Sequence, residues 1–166
     1  MFREMRRKRQ QLTEEACGLI LERNTSGVLA VLGDDDYPYA VPLSYVFDKA
    51  ERKIYFHCAK SGHKLDAVKR HCKVSFCVID QDMIVPEEYT TYFRSVIVFG
   101  RMRVIEGAEE VRAAIEKLAV KYAPHDSEES RRQAIDKELN ALCMLEMDIE
   151  HMSGKEAIEL VRKRQE

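Results

Sequence analysis

The chain has 166 residues, 45% of them hydrophobic and 34% charged, which suits one domain with a real core and excludes a disordered chain. Lys and Arg number 27 against 29 Asp and Glu, leaving a formal charge of -2, so nothing pulls the molecule as a whole toward nucleic acid and any bound anion needs a local cluster of cations. No apolar run approaches the roughly 20 residues that cross a bilayer, and a soluble protein is expected.

The first eleven residues, MFREMRRKRQQ, form a basic arm. They lack the apolar stretch and small-residue cleavage site of a secretory signal, so the cytoplasm is the expected compartment. Thr13 then caps a predicted helix to about Arg23, with Glu14 and Glu15 in its first turn and Leu12, Ala16, Leu19 and Ile20 spaced for one apolar face. Asn24 to Gly27 stop it. The apolar run Val28 to Leu32, the turn Gly33 to Asp36 and the run Tyr37 to Phe47 read as a β-hairpin. Pro38 and Pro42 lie inside the second run, and a proline cannot donate to a ladder. That strand is therefore expected to be bulged or unpaired on one side, with backbone groups free for a ligand.

A third strand is predicted at Lys53 to His57, followed by a loop from Cys58 to Gly62 and a short helix from His63 to Arg70 with Leu65 and Val68 inward. Val74 to Asp80 reads as a strand with apolar residues on both faces, packed on two sides. Gln81 to Thr90 is a polar connection without periodicity, a candidate flap. Thr91 to Glu106 is either two strands or one long strand bent at Gly100.

Ala108, Val111, Ala114, Ile115, Leu118, Ala119 and Tyr122 recur at helical spacing, and Pro124 closes that helix. A charged helix from Ser127 to about Leu139, a strand from Leu142 to His151 and a helical tail from Gly154 to Glu166 complete the chain. No repeat or long linker divides it, so residues 1–166 are read as a single domain. Six or seven strands with helices at the ends and one flank indicate a mainly β, α+β fold. The five cysteines are scattered without a C-x-x-C pair; they read as reduced thiols, mostly buried, and no metal site is expected.

Two stretches could carry chemistry. In the first, a strand ends at His57, a loop with Lys60, Ser61 and Gly62 follows, and a helix opens on His63 and Lys64. Free N–H groups and cationic side chains then converge, a setting that suits a phosphate. A plain strand-to-helix connection with a solvated Lys/His cluster is the alternative, and no Walker loop is present. In the second, Arg94 and Ser95 precede the apolar run Val96 to Phe99; they could reach a phosphate or ring edge, or Arg94 could be a surface charge beside a buried strand. Cys58, in the loop, is either a core residue or a redox-sensitive thiol.

The segments VPLSYVF, IYFHCAKSGHKLD, YFRSVIVFGRMRVI and DIEHMSGKE, in that order and spacing, resemble the nitroimidazole-resistance branch of the pyridoxamine 5'-phosphate oxidase-like flavoproteins. The resemblance covers about residues 16–156. It implies an antiparallel six-stranded split β-barrel with flanking helices, working as a homodimer with one flavin mononucleotide (FMN) at each end of the subunit interface. It further implies that the backbone of Val41, Pro42, Leu43 and Tyr45 borders the flavin ring. Lys60, His63 and Lys64 would hold the phosphate, and Arg94 and Ser95 would complete the phosphate and ribityl contacts. His57 would lie near the flavin, where an imidazole that titrates near neutrality could deliver a proton. The substrate-gripping residues of the pyridoxamine 5'-phosphate oxidases proper are absent near the C-terminus, which argues against vitamin B6 oxidation.

Two functions follow as expectations. One is an FMN-dependent oxidoreductase that reduces small planar acceptors such as nitroaromatics or quinones. Its electron donor would dock transiently, since no G-x-G-x-x-G fingerprint is present. The other is a non-catalytic flavin- or heme-binding, redox-sensing module. Neither nucleic acid nor membrane is an expected partner.

Overall fold

A computed structural model describes residues 1–164. Seven strands form one antiparallel sheet: β1 (Ser26–Leu32), β2 (Pro38–Ser44), β3 (Val46–Asp48), β4 (Lys53–Ala59), β5 (Lys73–Val85), β6 (Thr90–Val104) and β7 (Leu142–Glu156). Their order is β2-β1-β5-β6-β7-β4-β3. Among the described residues five α-helices flank the sheet: α1 (Glu14–Arg23), α2 (His63–Arg70), α3 (Ala108–Tyr122), α4 (Glu128–Glu138) and α5 (Ile158–Lys163). Among the described residues, no helix is long and apolar enough to cross a membrane.

β2 and β3 occupy opposite edges of the sheet, yet only Tyr45 separates them in sequence. The sheet must therefore curl until its two edges meet at that residue, which makes an incompletely closed, split barrel. The predicted run Tyr37 to Phe47 is this one strand shared between two edges; counted once, it restores the expected six. Both prolines of the run fall on β2, which pairs with β1 alone, so an edge strand absorbs the missing N–H groups.

The corner is fixed from inside. Tyr45 is fully buried, its ring meets Phe76 edge-on at 4.9 Å, and its hydroxyl donates to the Leu21 carbonyl at 2.8 Å. Its backbone N–H donates to the Tyr122 hydroxyl at 3.1 Å, and that hydroxyl donates to the Thr25 carbonyl. Lys121 sits 4.2 Å over the Tyr45 ring and donates to the carbonyl of Asn24. The end of α3 thus ties the end of α1 to the barrel corner. Burial pushes the Tyr45 phenol well above its ordinary pKa and the Lys121 amine down to about 8.

Two apolar clusters result. The main one fills the barrel, with Leu29, Ile54, Phe56, Phe76, Val96 and Leu145 at its centre. The second lies outside it, where Ala114, Ile115 and Leu118 of α3 and Ile135 of α4 cover Tyr55 and Met144. Strand β4 is therefore covered on both faces along most of its length. Fully buried aliphatic and aromatic side chains contribute roughly 1.5–3 kcal/mol each.

Several local expectations change. In α1 the buried face is Cys17, Ile20 and Leu21, while Leu19 is exposed; the Thr13 cap is present, accepting from the Ala16 N–H at 3.2 Å. Residues 81–90 are no loose connection: β5 and β6 pair out to Val85 and Thr90, and a turn at Pro86–Glu88 closes a projecting hairpin. Its polar sequence reflects solvent on both faces, which hides the strand alternation. β5 is packed on one face only, with Val74, Phe76 and Val78 buried but Ile79 62% exposed. β7 runs through Gly154 to Glu156 before α5 begins, so those three residues are strand, and residues 165–166 of the expected tail lie outside the described residues.

β6 is one bent strand. Its pairing with β7 slips between Phe99 and Gly100, and a Cβ at Gly100 would collide with the Asp148 carbonyl. Gly100→Ala is expected to cost about 1–3 kcal/mol, because backbone must move. Gly107→Ala, whose Cβ would meet only the Glu110 side chain at 3.7 Å, should leave stability nearly unchanged. Urea denaturation of the two variants checks the difference.

Candidate functional site

The unpaired edge of β2 and the neighbouring face of β4 leave a seam beside the Tyr45 corner. The seam opens into a cavity of about 500 Å³ lined by Ser44, His57, Ile115, Leu118, Ala119, Tyr122, Ala134, Ile135, Glu138 and Leu142. Alternation along β4 sends Ile54, Phe56 and Cys58 into the barrel and Tyr55 and His57 outward. Tyr55 passes under α3, whereas His57, two residues on, remains exposed at the cavity. Among the described residues its imidazole has no hydrogen-bond partner, so both ring nitrogens are available to a ligand.

Three residues beyond His57 the chain leaves β4 and enters the turn before α2. Gly62 takes φ +131°, with nothing within 4 Å of where a Cβ would sit; an open backbone in this conformation favours glycine. Lys60 is exposed and Lys64 partly so, and among the described residues neither is ion-paired. The first N–H groups of α2, which begins at His63, have no intrahelical acceptor. His63 is held differently. Its Nε2 accepts from the Asp34 N–H at 3.3 Å, and its ring stacks on Tyr39 at 4.2 Å. Nε2 is thereby committed to the β1–β2 turn, and Nδ1 is the nitrogen left to donate outward. This donor set, two free lysines, one ring N–H and free backbone amides, fits a phosphate.

Val41, Pro42 and Leu43 lie on the edge strand β2, which pairs with β1 on one side only; of β2, Ser44 lines the cavity with His57. Tyr45 sits at the corner with its side chain in the core and its N–H spent on Tyr122 and Thr25, leaving only the backbone carbonyl for a ligand.

Arg94 and Ser95 lie elsewhere. They sit in the first half of β6, at the base of the projecting hairpin and beside the end of α1, while the Lys60–Lys64 loop sits against Asp34, past the far end of β1. The seven residues of β1 separate the two places by roughly 20 Å. The pair also diverges: Ser95 shares the outer face of β6 with Ile97 and Phe99, and Arg94 points to the opposite side. There Arg94 meets Glu156 at 3.2 Å and Asp80 at 3.5 Å. Glu156 is fully buried and also pairs with Arg164. Asp80 is the bulged residue between Ile79 and Gln81, and it accepts from Arg23 and from Asn24 at 2.8 Å.

Sequence reasoning missed the far wall of the cavity, contributed by α3 and α4. The signal present was the width of the α3 apolar stripe, which exceeds what one packed face needs. The Asp34–His63–Tyr39 contact carried no local signal, because it joins residues far apart in sequence.

Burial raises the pKa of Asp80, but hydrogen bonds from Arg23 and Asn24 and the charges of Arg23 and Arg94 outweigh it and hold the carboxyl below its ordinary 3.8. The stability it adds is therefore present above pH 3.8 and lost as the pH falls below that value. Asp80→Asn should flatten the acid limb of the stability profile. Arg94→Gln should cost about 1.5–3 kcal/mol by removing one of the two guanidiniums that pair buried Glu156. Denaturant midpoints measured from neutral pH down to about pH 3 check both.

Comparison with known proteins bears on the fold and the family. The sequence pattern of the pyridoxamine 5'-phosphate oxidase family matches residues 13–156. No curated protein sequence matches the chain. Among solved structures, the fold is similar to a conserved hypothetical protein from Mycobacterium tuberculosis (TM-score 0.80, 17% identity, 98% of this chain and 94% of that one). It is also similar to a candidate 5-nitroimidazole antibiotic resistance protein from Bacteroides thetaiotaomicron (0.72, 18%, 87% and 85%). A third is a FAD and heme binding protein from Mycobacterium smegmatis (0.72, 21%, 89% and 73%). At these identities the likenesses speak for the fold. With 144 consecutive residues matched and a split barrel formed by them, the chain belongs to the pyridoxamine 5'-phosphate oxidase family.

Proposed function

We propose that the chain is an FMN-binding flavoprotein of the nitroimidazole-resistance branch, a cytoplasmic homodimer that passes electrons from a reduced nicotinamide or another donor to small planar acceptors such as nitroaromatics. The reading is carried by one observation: two lysines without ion-pair partners among the described residues, Lys60 and Lys64, lie next along the chain from an apolar cavity that holds the free imidazole of His57. A ligand with a phosphate at one end and a flat apolar ring at the other matches that pairing.

Bound FMN would supply the two-electron chemistry. Lys60 and Lys64 neutralise its phosphate, with His63 Nδ1–H and the first amides of α2 as further donors. The backbone of Val41, Pro42 and Leu43 borders the ring along the open edge of β2, with the Tyr45 carbonyl at the corner. His57 holds a proton at an imidazole nitrogen and passes it to the acceptor. The apolar side chains of α3 and α4 keep water from the seam.

A second copy accounts for Arg94 and Ser95. The outer sheet face carries an apolar cross-strand row, Val28, Cys77 and Ile97, followed by Phe99, and Ile79 and Ile97 are 62% and 40% exposed. Such a face calls for a partner. A two-fold axis through it turns the base of the β5–β6 hairpin in one copy toward the α2 end of the other, so Ser95 approaches the Lys60–Lys64 loop of the other chain. Arg94 reaches the same ligand only by relaxing its contacts with Asp80 and Glu156.

A non-catalytic flavin- or heme-binding, redox-sensing module is the second reading. An unpartnered histidine in an apolar cavity favours it, being the setting an axial heme ligand needs, and one neighbour is described as binding both FAD and heme.

The visible spectrum of the purified protein, followed by FMN titration, tests the proposal. Oxidised-flavin bands, tight FMN binding by a dimer, and NAD(P)H oxidation accelerated by a nitroimidazole are expected. Lys64→Ala should weaken FMN binding about tenfold or more, one charge-assisted contact being lost. A Soret band moves the assignment to heme, and flavin binding without turnover moves it to the non-catalytic module. A colourless protein that rejects FMN overturns both readings.

A further inference from the structure

The end of β4 brings two thiols together. Cys58 and Cys143 are direct cross-strand partners in the antiparallel β4–β7 ladder. Opposed residues in such a ladder project to the same face with Cα atoms roughly 4.5–5.5 Å apart. A disulfide spans Cα separations of roughly 4.4–6.8 Å, so the backbone need not move for the sulfurs to bond. Both side chains turn inward on that face: Cys58 belongs to the barrel core and Cys143 packs against it. Both are free thiols, Cys58 buried and Cys143 half-buried. The remaining cysteines are placed differently, with Cys17 on α1, Cys72 exposed between α2 and β5, and Cys77 on the outer face of β5.

We propose that Cys58 and Cys143 form a redox-modification site, a thiol pair that a small-molecule disulfide such as oxidised glutathione converts into an intramolecular cross-strand disulfide. The half-buried Cys143 is the sulfur a reagent reaches first. Its thiolate attacks the reagent's disulfide, the Cys143–glutathione bond forms, and one glutathione thiolate leaves and takes up a proton. The Cys58 thiolate then attacks the Cys143 sulfur, the protein disulfide forms, and the second glutathione leaves. Two protein thiols lose two hydrogens, and one reagent disulfide becomes two thiols.

Burial dominates the chemistry of Cys58 and pushes its thiol up to about 11, against an opposing pull from the charge of Lys64. Exchange is therefore slow at neutral pH, as befits a site that responds to sustained oxidation. The bond would tie the end of β4, just before the Lys60–Gly62 loop, to the start of β7, which follows α4. It would thus restrain the loop and one wall of the cavity together.

The test uses the full chain, equilibrated across graded ratios of oxidised to reduced glutathione, quenched by alkylation, and analysed by intact mass and non-reducing peptide mapping. The expected product has the Cys58 and Cys143 peptides joined with the loss of two hydrogens and no glutathione on either, whatever adduct the exposed Cys72 carries, and a dithiol reductant returns it to the starting mass. Cys58→Ser should instead retain one glutathione on Cys143. Three results on the native chain would overturn the proposal: both thiols alkylated at every ratio, a stable glutathione adduct on either, or a link to another cysteine. None of these readouts requires the variant to fold or the flavin reading to hold.

Discussion

The architecture depends on one corner, where a single residue carries the chain from one edge of the sheet to the other. Tyr45 can do this because its phenol reaches the Leu21 carbonyl while its ring fills the barrel beside Phe76. A buried hydroxyl without a partner costs roughly 1–3 kcal/mol, so the end of α1 must lie where it does for the corner to form. The Tyr122 hydroxyl, between the Tyr45 N–H and the Thr25 carbonyl, sets the same requirement on α3. Three distant segments are thereby locked to one position. The seam beside that position, with its unpaired β2 edge, follows from the way the barrel closes.

The two ends of the barrel treat charge in opposite ways. At the base of the β5–β6 hairpin, Arg23, Arg94 and Arg164 face Asp80 and Glu156, so the cations there are already compensated and the carboxylates are shielded from water. At the α2 end, Lys60 and Lys64 face solvent without carboxylate partners among the described residues. Only the second arrangement leaves positive potential for an incoming anion. The near-neutral net charge of the chain conceals this, because Asp34, Asp35 and Asp36 sit next to the same end and balance the count without pairing the lysines.

How much of this is legible in the sequence depends on range. The α2 boundaries, the Thr13 cap and the prolines of β2 are local matters, and the chain states them in residues that touch their own neighbours. The β5–β6 hairpin was not legible, since Gln81 to Val85 meets solvent on both sides and loses the alternation that marks a half-buried strand. The loop before α2 could be read as an anion site from Lys60, Gly62 and Lys64. That His63 turns one nitrogen toward Asp34 could not, because the contact exists only after β1 and β2 have paired. Arg94 shows the same limit. Its neighbours in sequence suggest a ligand-binding guanidinium, while the partners that occupy it, Asp80 and Glu156, come from a bulge and a strand end far along the chain.

The placement of His57 joins these strands of argument. β4 must bury Ile54 and Phe56 inside the barrel, so alternation leaves Tyr55 and His57 no choice but the outer face. The helices that cover that face are long enough to close over Tyr55 and not over the next outward position. An aromatic residue at 57 would complete the second apolar cluster; an imidazole instead ends it and opens a polar point onto the cavity. The position is compelled by packing on the opposite side of the strand, and the choice of histidine there is the part of the site that packing does not explain.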